Sequence, residues 1–320
     1  MKKILLLGAT GFIGKNVLIG LIKTYPKSKI ICIHFKSKQW IKNKNVIWKR
    51  GDLRNPNFCK KITKDIDLII QAAATTSGSK DIVNSPSLHV TDNAIMNSYL
   101  TKYAHENFVK HFIFFSCTVM YHNSNKPLRE IDYNPKRKIY KKYFGVANTK
   151  LYVEKLCEFY AEMKRVKFSV IRHSNIFGPY DKFDLEKSHF FGATVTKVIN
   201  SQKEIEIWGN GQEERDLLFI DDLFDFIKKL IAKQKNKFAI YNCGYGKSFK
   251  VIDIVNKIIK YSGKNLKIKK DLSKPTIKTK LSLNCSKAKK DINWIRKTNI
   301  NNAIKKTINW YRKNHELLQK

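Results

Sequence analysis

KILLLGATGFIGKNV, residues 3–17, places a charged start, an apolar run and three glycines in succession. Ile4 to Leu7 is short and continuously apolar, as a strand buried on both faces of a parallel sheet must be. Gly8, Gly11 and Gly14 then open a helix. Gly8 permits a tight turn, Gly11 lets a pyrophosphate approach the backbone with no side chain between, and Gly14 lets the helix pack close to the strand. Thr10, Phe12 and Ile13 complete the turn, and the helix N-terminus offers N–H groups and a partial positive charge to phosphate. The pattern implies a dinucleotide site.

Outward from that stretch, strands and helices alternate without a hairpin signal. Lys29 to Phe35 reads as a second strand, whose end selects the dinucleotide: a carboxylate there would bind the ribose hydroxyls of NAD, and a cation would favour the extra phosphate of NADP. The chain offers His34, Phe35, Lys36, Ser37 and Lys38. Lys36 therefore favours NADP, with NAD the alternative. Val46 to Trp48 is a third strand, followed by Gly51-Asp52-Leu53, where the Asp52 carboxylate can receive an adenine amino group beside Leu53. Leu68 to Ala74 is a fourth, ending in Ala72, Ala73 and Ala74, small enough for a dinucleotide to lie across. A helix carrying Asn93 and Asn97 and a fifth strand, Phe112 to Phe115, follow. The alternation predicts an α/β fold, a Rossmann-type doubly wound parallel sheet.

From about Arg172 the alternation loosens. Gly178-Pro179-Tyr180-Asp181 is a turn, and Asp181 to His189 is too polar for core and reads as a loop over a site. Ile205 to Trp208 and Asp216 to Ile220 read as short strands, Asp222 to Ala232 as a helix and Ala239 to Asn242 as a strand returning to the sheet. Val251 to Ser262 and Asn301 to Lys313 are amphipathic helices. The expected organisation is a dinucleotide-binding domain over 1–171, with 216–245 returning to it, and a smaller C-terminal α/β substrate domain built from 172–215 and 246–320.

At 320 residues, 42% of them hydrophobic, the chain can bury a large core. The net charge of +37 comes from lysines spread along the whole length, with no basic tract or nucleic-acid module, so nucleic acid is not an expected partner. The charge can still attract an anionic substrate. Six cysteines, Cys32, Cys59, Cys117, Cys157, Cys243 and Cys285, lack metal-ligand spacing and fit free thiols in a reducing compartment. No stretch is long enough for a membrane span or shaped as a signal peptide, which predicts a cytoplasmic protein with no bound metal.

Seven landmarks in order resemble the extended short-chain dehydrogenase/reductase family, in its NAD-dependent epimerase/dehydratase branch. They are Gly8 to Gly14, Gly51 to Arg54, Gln71 to Ala74, Ser116 to Tyr121, Lys150 with Glu154, Arg172 to Pro179, and Arg215-Asp216 before Asp221-Asp222-Leu223. The loop from Asn175 to His189 is similar to that of GDP-L-fucose synthases. The resemblance implies a tightly held nicotinamide cofactor, a nucleoside-diphosphate sugar, which the loop makes a GDP-sugar, and a homodimer. It implies a substrate diphosphate at Arg215 and Lys280, Asn175 on the substrate, and a proton-donating or substrate-holding role for His189.

The chemistry of that family needs a tyrosine to exchange the sugar hydroxyl proton, a lysine to lower its pKa and grip the cofactor ribose, and a serine or threonine on the same oxygen. Bringing a tyrosine from about 10 to neutrality takes about 4 kcal/mol of differential stabilisation. Tyrosine and lysine must stand four apart to share a helix face. Lys150 matches the lysine, but four residues earlier stands Val146, which has no proton to give. Tyr143, seven before Lys150, would be about 10 Å away along a helix; a bulge or a late helix start would bring it in, with Tyr140 a further candidate. The hydroxyl position falls on Cys117, a poor donor, flanked by Thr118 and then Ser116 as candidates. Val119 stands where fucose synthases carry a cysteine. The expected function is an NAD(P)-dependent oxidoreductase or epimerase of a nucleotide sugar in surface polysaccharide synthesis. The alternatives are a C4 epimerase and a non-catalytic dinucleotide-binding sensor or scaffold.

Overall fold

The computed structural model describes residues 1–75, 85–185, 188–274, 276 and 279–318. β1 (Lys3–Leu7) leads through α1 (Phe12–Thr24), β2 (Lys29–His34), β3 (Val46–Arg50), α2 (Pro56–Ile62), β4 (Leu68–Gln71), α3 (Thr91–Glu106), β5 (His111–Ser116) and α4 (Phe144–Glu162) to β6 (Lys167–His173). The chain then leaves the sheet through β7 (Asn175–Phe177), α5 (Phe190–Asn200), β8 (Glu204–Trp208) and β9 (Glu214–Phe219). It returns through α6 (Ile220–Lys233) to β10 (Phe238–Cys243). Seven parallel strands form one sheet in the order β10-β6-β5-β4-β1-β2-β3. The order reverses between β1 and β4, and a crevice beyond the carboxyl ends of the strands at that point is where such sheets take ligands.

After β10 come β11 (Ser248–Lys250), α7 (Val251–Ser262), β12 (Lys267–Asp271), α8 (Ser286–Ile292) and α9 (Ile300–Leu318). β7 and β11 flank β9 in a three-stranded sheet, and β12 pairs with β8. The buried Asp216 carboxylate joins this part to the end of the chain, accepting from the N–H groups of Tyr245, Gly246 and Leu283 at 2.7, 3.2 and 3.0 Å. Among the described residues no helix is long and apolar enough to cross a membrane.

The period of two along β1 divides the core. Ile4 and Leu6 pack with Val17 and Leu21 of α1 and with Phe226 of α6, whereas Leu5 and Leu7 pack with Leu100 of α3 and Val153 of α4. All four strand residues are fully buried, each worth about 1.5–3 kcal/mol in apolar transfer. Both faces of the sheet are therefore covered by helices.

Of the elements that differ from the sequence reading, three have a clear physical cause. β4 stops at Gln71 rather than Ala74, because β1 ends at Leu7, opposite Gln71, and the Ala72 N–H makes the last ladder bond to Leu7 at 3.1 Å. β3 runs on to Arg50, which pairs with His34. β6 escapes a hydrophobicity pattern because Ser169, Arg172 and His173 interrupt it. The first two are buried, and each has partners: Ser169 meets His111 and Gln234 at 2.6 and 2.5 Å, and Arg172 meets Glu154 at 2.6 Å. Buried polar groups satisfied in this way are tolerated inside a sheet.

Candidate active site

The glycine turn lies at the reversal of strand order. Gly8 has φ +80°, and a Cβ there would come within 2.6 Å of the Ala72 carbonyl and the Ala73 nitrogen. A Cβ on Gly14 would fall 1.9 Å from the Gly8 oxygen, so this glycine sets the closeness of α1 to β1. Gly11 differs: its Cβ would meet only the Gly8 oxygen at 3.4 Å, leaving the space above it open. α1 begins at Gly11 with no side-chain cap and no acidic residue in its first turn, which leaves its leading N–H groups to an anion. Opposite, Thr75 exchanges two hydrogen bonds with Asn93, at 3.0 and 2.9 Å, and the Gln71 amide donates to Asn97 at 3.0 Å. The small residues Ala72 to Ala74 are thus held in place by α3. An uncapped helix start and a floor without bulky side chains fit the pyrophosphate and ribose of a dinucleotide.

At the end of β2, Phe35 is 43% exposed, with the Lys36 ammonium 5.9 Å and the Arg54 guanidinium 5.7 Å from its ring centre. Asp52 is engaged by Arg54 at 2.7 Å, and Arg54 reaches on to Asp92 at 3.2 Å. The Arg54 hydrogen bond holds the Asp52 carboxyl below its usual range. Leu53 packs against the core under α2 and α3. Lys36 thus stands beside the exposed Phe35 ring at the end of β2, while Asp52 spends its carboxylate on Arg54.

A cavity of about 670 Å³ runs from Phe12, Ile13 and Ala72 to Ala74, past the end of β5 and Lys150, to Asn175, His189 and Arg215. It gathers most of the residues singled out from the sequence. Gly8, Thr10, Gly11, Gly14, Lys36, Asp52, Leu53 and Lys280 are not on its wall, and Lys280 pairs instead with Glu214 at 3.0 Å.

In the middle of the cavity, Lys150 donates to the Phe115 carbonyl at 2.7 Å. Burial lowers its pKa, while Cys117 and Glu154 oppose the shift. Burial raises the Cys117 thiol, and Lys150 and a hydrogen bond from the Val119 N–H pull it back. Ser116 lines the cavity, but its hydroxyl donates to Glu154 at 2.5 Å. Glu154 in turn receives Arg172, whose other nitrogen donates to Tyr121 at 3.0 Å. This buried network leaves Thr118, also on the cavity wall, as the hydroxyl there that is not committed to Glu154.

Val146 sits on the cavity wall one helical turn before Lys150. α4 starts late, at Phe144, and runs unbroken past Lys150; Tyr143 is its N-cap residue, at the end of a short 3-10 turn, and lines the same cavity as the lysine. Both Arg215 and Cys117 are close enough to act on the Tyr143 hydroxyl. Burial raises its pKa, Arg215 lowers it, and Cys117 and Tyr140 raise it further. Arg215 is partly buried, and its guanidinium donates to the Thr279 hydroxyl at 2.6 Å. Asn175 donates to the Asp216 carbonyl at 3.1 Å. His189 precedes α5 as its N-cap residue, its pKa lowered by burial and by Lys182 and His89.

A model of the NAD dependent epimerase/dehydratase family matches residues 4–244. The chain belongs to this family. GDP-L-colitose synthase of Yersinia pseudotuberculosis is 27% identical over 272 residues, covering 82% of this chain and 83% of that protein. GDP-L-fucose synthase of Azorhizobium caulinodans is 24% identical over 286 residues, with 86% and 85% covered. UDP-glucose 4-epimerase of Thermotoga maritima shares the fold, with a TM-score of 0.86 over 98% of this chain and 99% of that one, at 22% identity. The family's relatives are nucleotide-sugar epimerases, dehydratases and reductases.

Within this epimerase/dehydratase framework, the cavity also holds two titratable rings that the sequence pattern does not mark, His89 and His173. Nothing in spacing marks His89. His173 stands at the carboxyl end of a parallel strand, where such sheets place chemistry, but the polar residues of β6 hide that strand from a hydrophobicity pattern.

Proposed function

We propose that this epimerase/dehydratase family member holds a nicotinamide dinucleotide and a GDP-linked sugar in one cavity and acts as an oxidoreductase or epimerase at a sugar carbon, in surface polysaccharide synthesis. The continuity of the cavity from Phe12 and Ile13, next to the open cradle at Gly11, past Lys150, to Arg215 carries this reading. Exchange of a hydride with the sugar carbon is the chemistry that a bound nicotinamide supplies. The α1 N-terminus holds the pyrophosphate, and Lys150 places a cation beside the ribose. Arg215, braced by Thr279, presents a fork of donors to the substrate diphosphate, joined by Tyr143, Asn175 and His189 around the sugar. Thr118 donates to the sugar oxygen. Lys36 favours NADP over NAD by offering a cation to the extra phosphate. In this reading 1–171 and 216–245 carry the cofactor, and 172–215 and 246–320 carry the substrate. The two GDP-sugar synthases among the relatives support the choice of nucleobase.

Val146 and Cys117 favour a second reading, a binder of both ligands without turnover. Calorimetric titration with NADP+ and NAD+, then with GDP-mannose and UDP-glucose, separates the possibilities when the absorbance of reduced nicotinamide is followed. Binding of dinucleotide and GDP-sugar with a change of redox state is expected. Binding of both without that change with any sugar nucleotide supports the second reading, and failure to bind dinucleotide overturns the proposal.

A further inference from the structure

We infer that Nε2 of His173 exchanges the sugar hydroxyl proton in this chain, in place of the side chain that Val146 lacks; this rests on the nucleotide-sugar reading above. His173 ends β6, paired with Cys243 of β10, and its neighbour Arg172 pairs with Ser116 of β5. The imidazole is therefore at the carboxyl edge of the sheet, beside the segment that leads to Cys117. Its ring centre lies 6.1 Å from that of Phe115, the residue whose carbonyl anchors Lys150. Cys117, Val146, Lys150 and His173 all line the cavity.

The backbone determines the tautomer. Nδ1 of His173 is 2.7 Å from the Ser174 carbonyl, and because a carbonyl only accepts, Nδ1 must carry the proton. In the neutral ring Nε2 then holds the lone pair, and among the described residues it has no hydrogen-bond partner. The groups acting on the ring's charge are the Ser174 carbonyl, Lys150 from α4 and His189 from the start of α5. Burial pushes the imidazole down to about 4, Lys150 and His189 push the same way, and only the carbonyl opposes them. The empty cavity thus presents an uncharged acceptor at neutral pH. A diphosphate bound at Arg215 would offset the local positive charge and raise the affinity of Nε2 for a proton.

The other side chains of the cavity suit the role less well. Burial raises Tyr143 and Cys117 rather than lowering them toward neutrality, and the Ser116 hydroxyl donates to Glu154. When the sugar alcohol is oxidised, the C–H bond breaks with its electron pair leaving as hydride for oxidised nicotinamide. The O–H bond breaks with its proton passing to Nε2, and the carbon–oxygen bond becomes a carbonyl. Reduction returns the proton from Nε2 to the oxygen and a hydride to the carbon.

Nitrogen-resolved NMR of the histidine side chains tests this first, with His173→Gln identifying the signal. The free protein should show this ring as the Nδ1–H tautomer, titrating at about 4. GDP-mannose with NAD+ should shift the Nε2 resonance and raise that midpoint. In single-turnover measurements with the sugar nucleotide that supports reduction, His173→Gln should lower the rate by about a hundredfold or more, with dinucleotide affinity by calorimetry unchanged. Tyr143→Phe should cost less than about tenfold in that rate. An Nε2 resonance unmoved by both bound ligands, or an unchanged rate in His173→Gln, overturns the assignment while leaving the nucleotide-sugar reading intact. A wild-type protein that binds neither ligand overturns both.

Discussion

The cradle around Gly8, Gly11 and Gly14 adjoins, at Phe12 and Ile13, the cavity whose wall includes Cys117, Val146 and His173, but cradle and wall are built from different material. Backbone atoms make the cradle, and it works because three Cβ atoms are missing; a side chain at Gly8 or Gly14 would collide with main chain. Side chains make the wall, on a strand end and a helix whose paths do not depend on them. α4 runs unbroken past Val146 and Lys150 still reaches the Phe115 carbonyl. A backbone-built site resists substitution, whereas a side-chain-built one can exchange its chemical groups one at a time on an unchanged scaffold.

The largest effect is expected behind the wall. Glu154→Ala leaves the Arg172 guanidinium, whose side chain is 4% exposed, without its carboxylate, which should cost about 3–5 kcal/mol in denaturant unfolding. A loss under about 1 kcal/mol would show that the scaffold of the wall does not depend on this pair.

The joint between the two regions should respond to pH. Asp181 follows the turn whose Pro179 carbonyl accepts from Asn16 of α1 at 2.8 Å, and its carboxyl is buried and pushed up to about 7. Over the interval between its unfolded value, near 4, and about 7, the folded chain holds a proton that the unfolded chain releases. Stability must therefore fall as pH rises through that window, by up to about 4 kcal/mol. Asp181→Asn should flatten this part of the stability profile, as thermal melts between the two limits would show.

Gly14→Ala attacks the cradle directly. The clash at 1.9 Å should cost about 3 kcal/mol and abolish dinucleotide binding in calorimetry, and unimpaired binding would break the claim that α1 must lie this close to β1. Arg215→Ala should weaken GDP-sugar binding by about 2 kcal/mol and spare the dinucleotide. Equal losses for both ligands would mean that Arg215 shapes the whole cavity. The smallest change is Lys36→Ser, expected to cost about 1 kcal/mol of NADP+ affinity with NAD+ affinity unaltered.

The legible parts of the chain were those governed by local spacing. The apolar run before Gly8, the glycine turn with the start of α1, and the helices α6 and α7 follow from periodicity and from conformations that few residues can adopt. β6 was not legible, because its polar residues are paid for by partners 58 and 18 residues away in sequence, His111 for Ser169 and Glu154 for Arg172. Ser116 and Thr118 could not be separated by counting from Tyr121, and only the contact of Ser116 with Glu154 tells them apart. Lys280 stood out as a cation in the C-terminal part, yet Glu214, far away along the chain, takes it.

The amino-acid sequence by itself determined the parallel sheet, the dinucleotide cradle and the absence of a tyrosine one turn before Lys150, since each depends on neighbours within a few residues. The tertiary structure alone decided the uses of the polar side chains: Ser116 and Arg172 to Glu154, Arg215 acting on the Tyr143 hydroxyl, and His173 on the cavity wall with Lys150 and Cys117. A hydroxyl, carboxylate or imidazole acquires its role from the donors, acceptors and charges within a few ångströms, and in a doubly wound sheet those come from strands and helices distant in sequence.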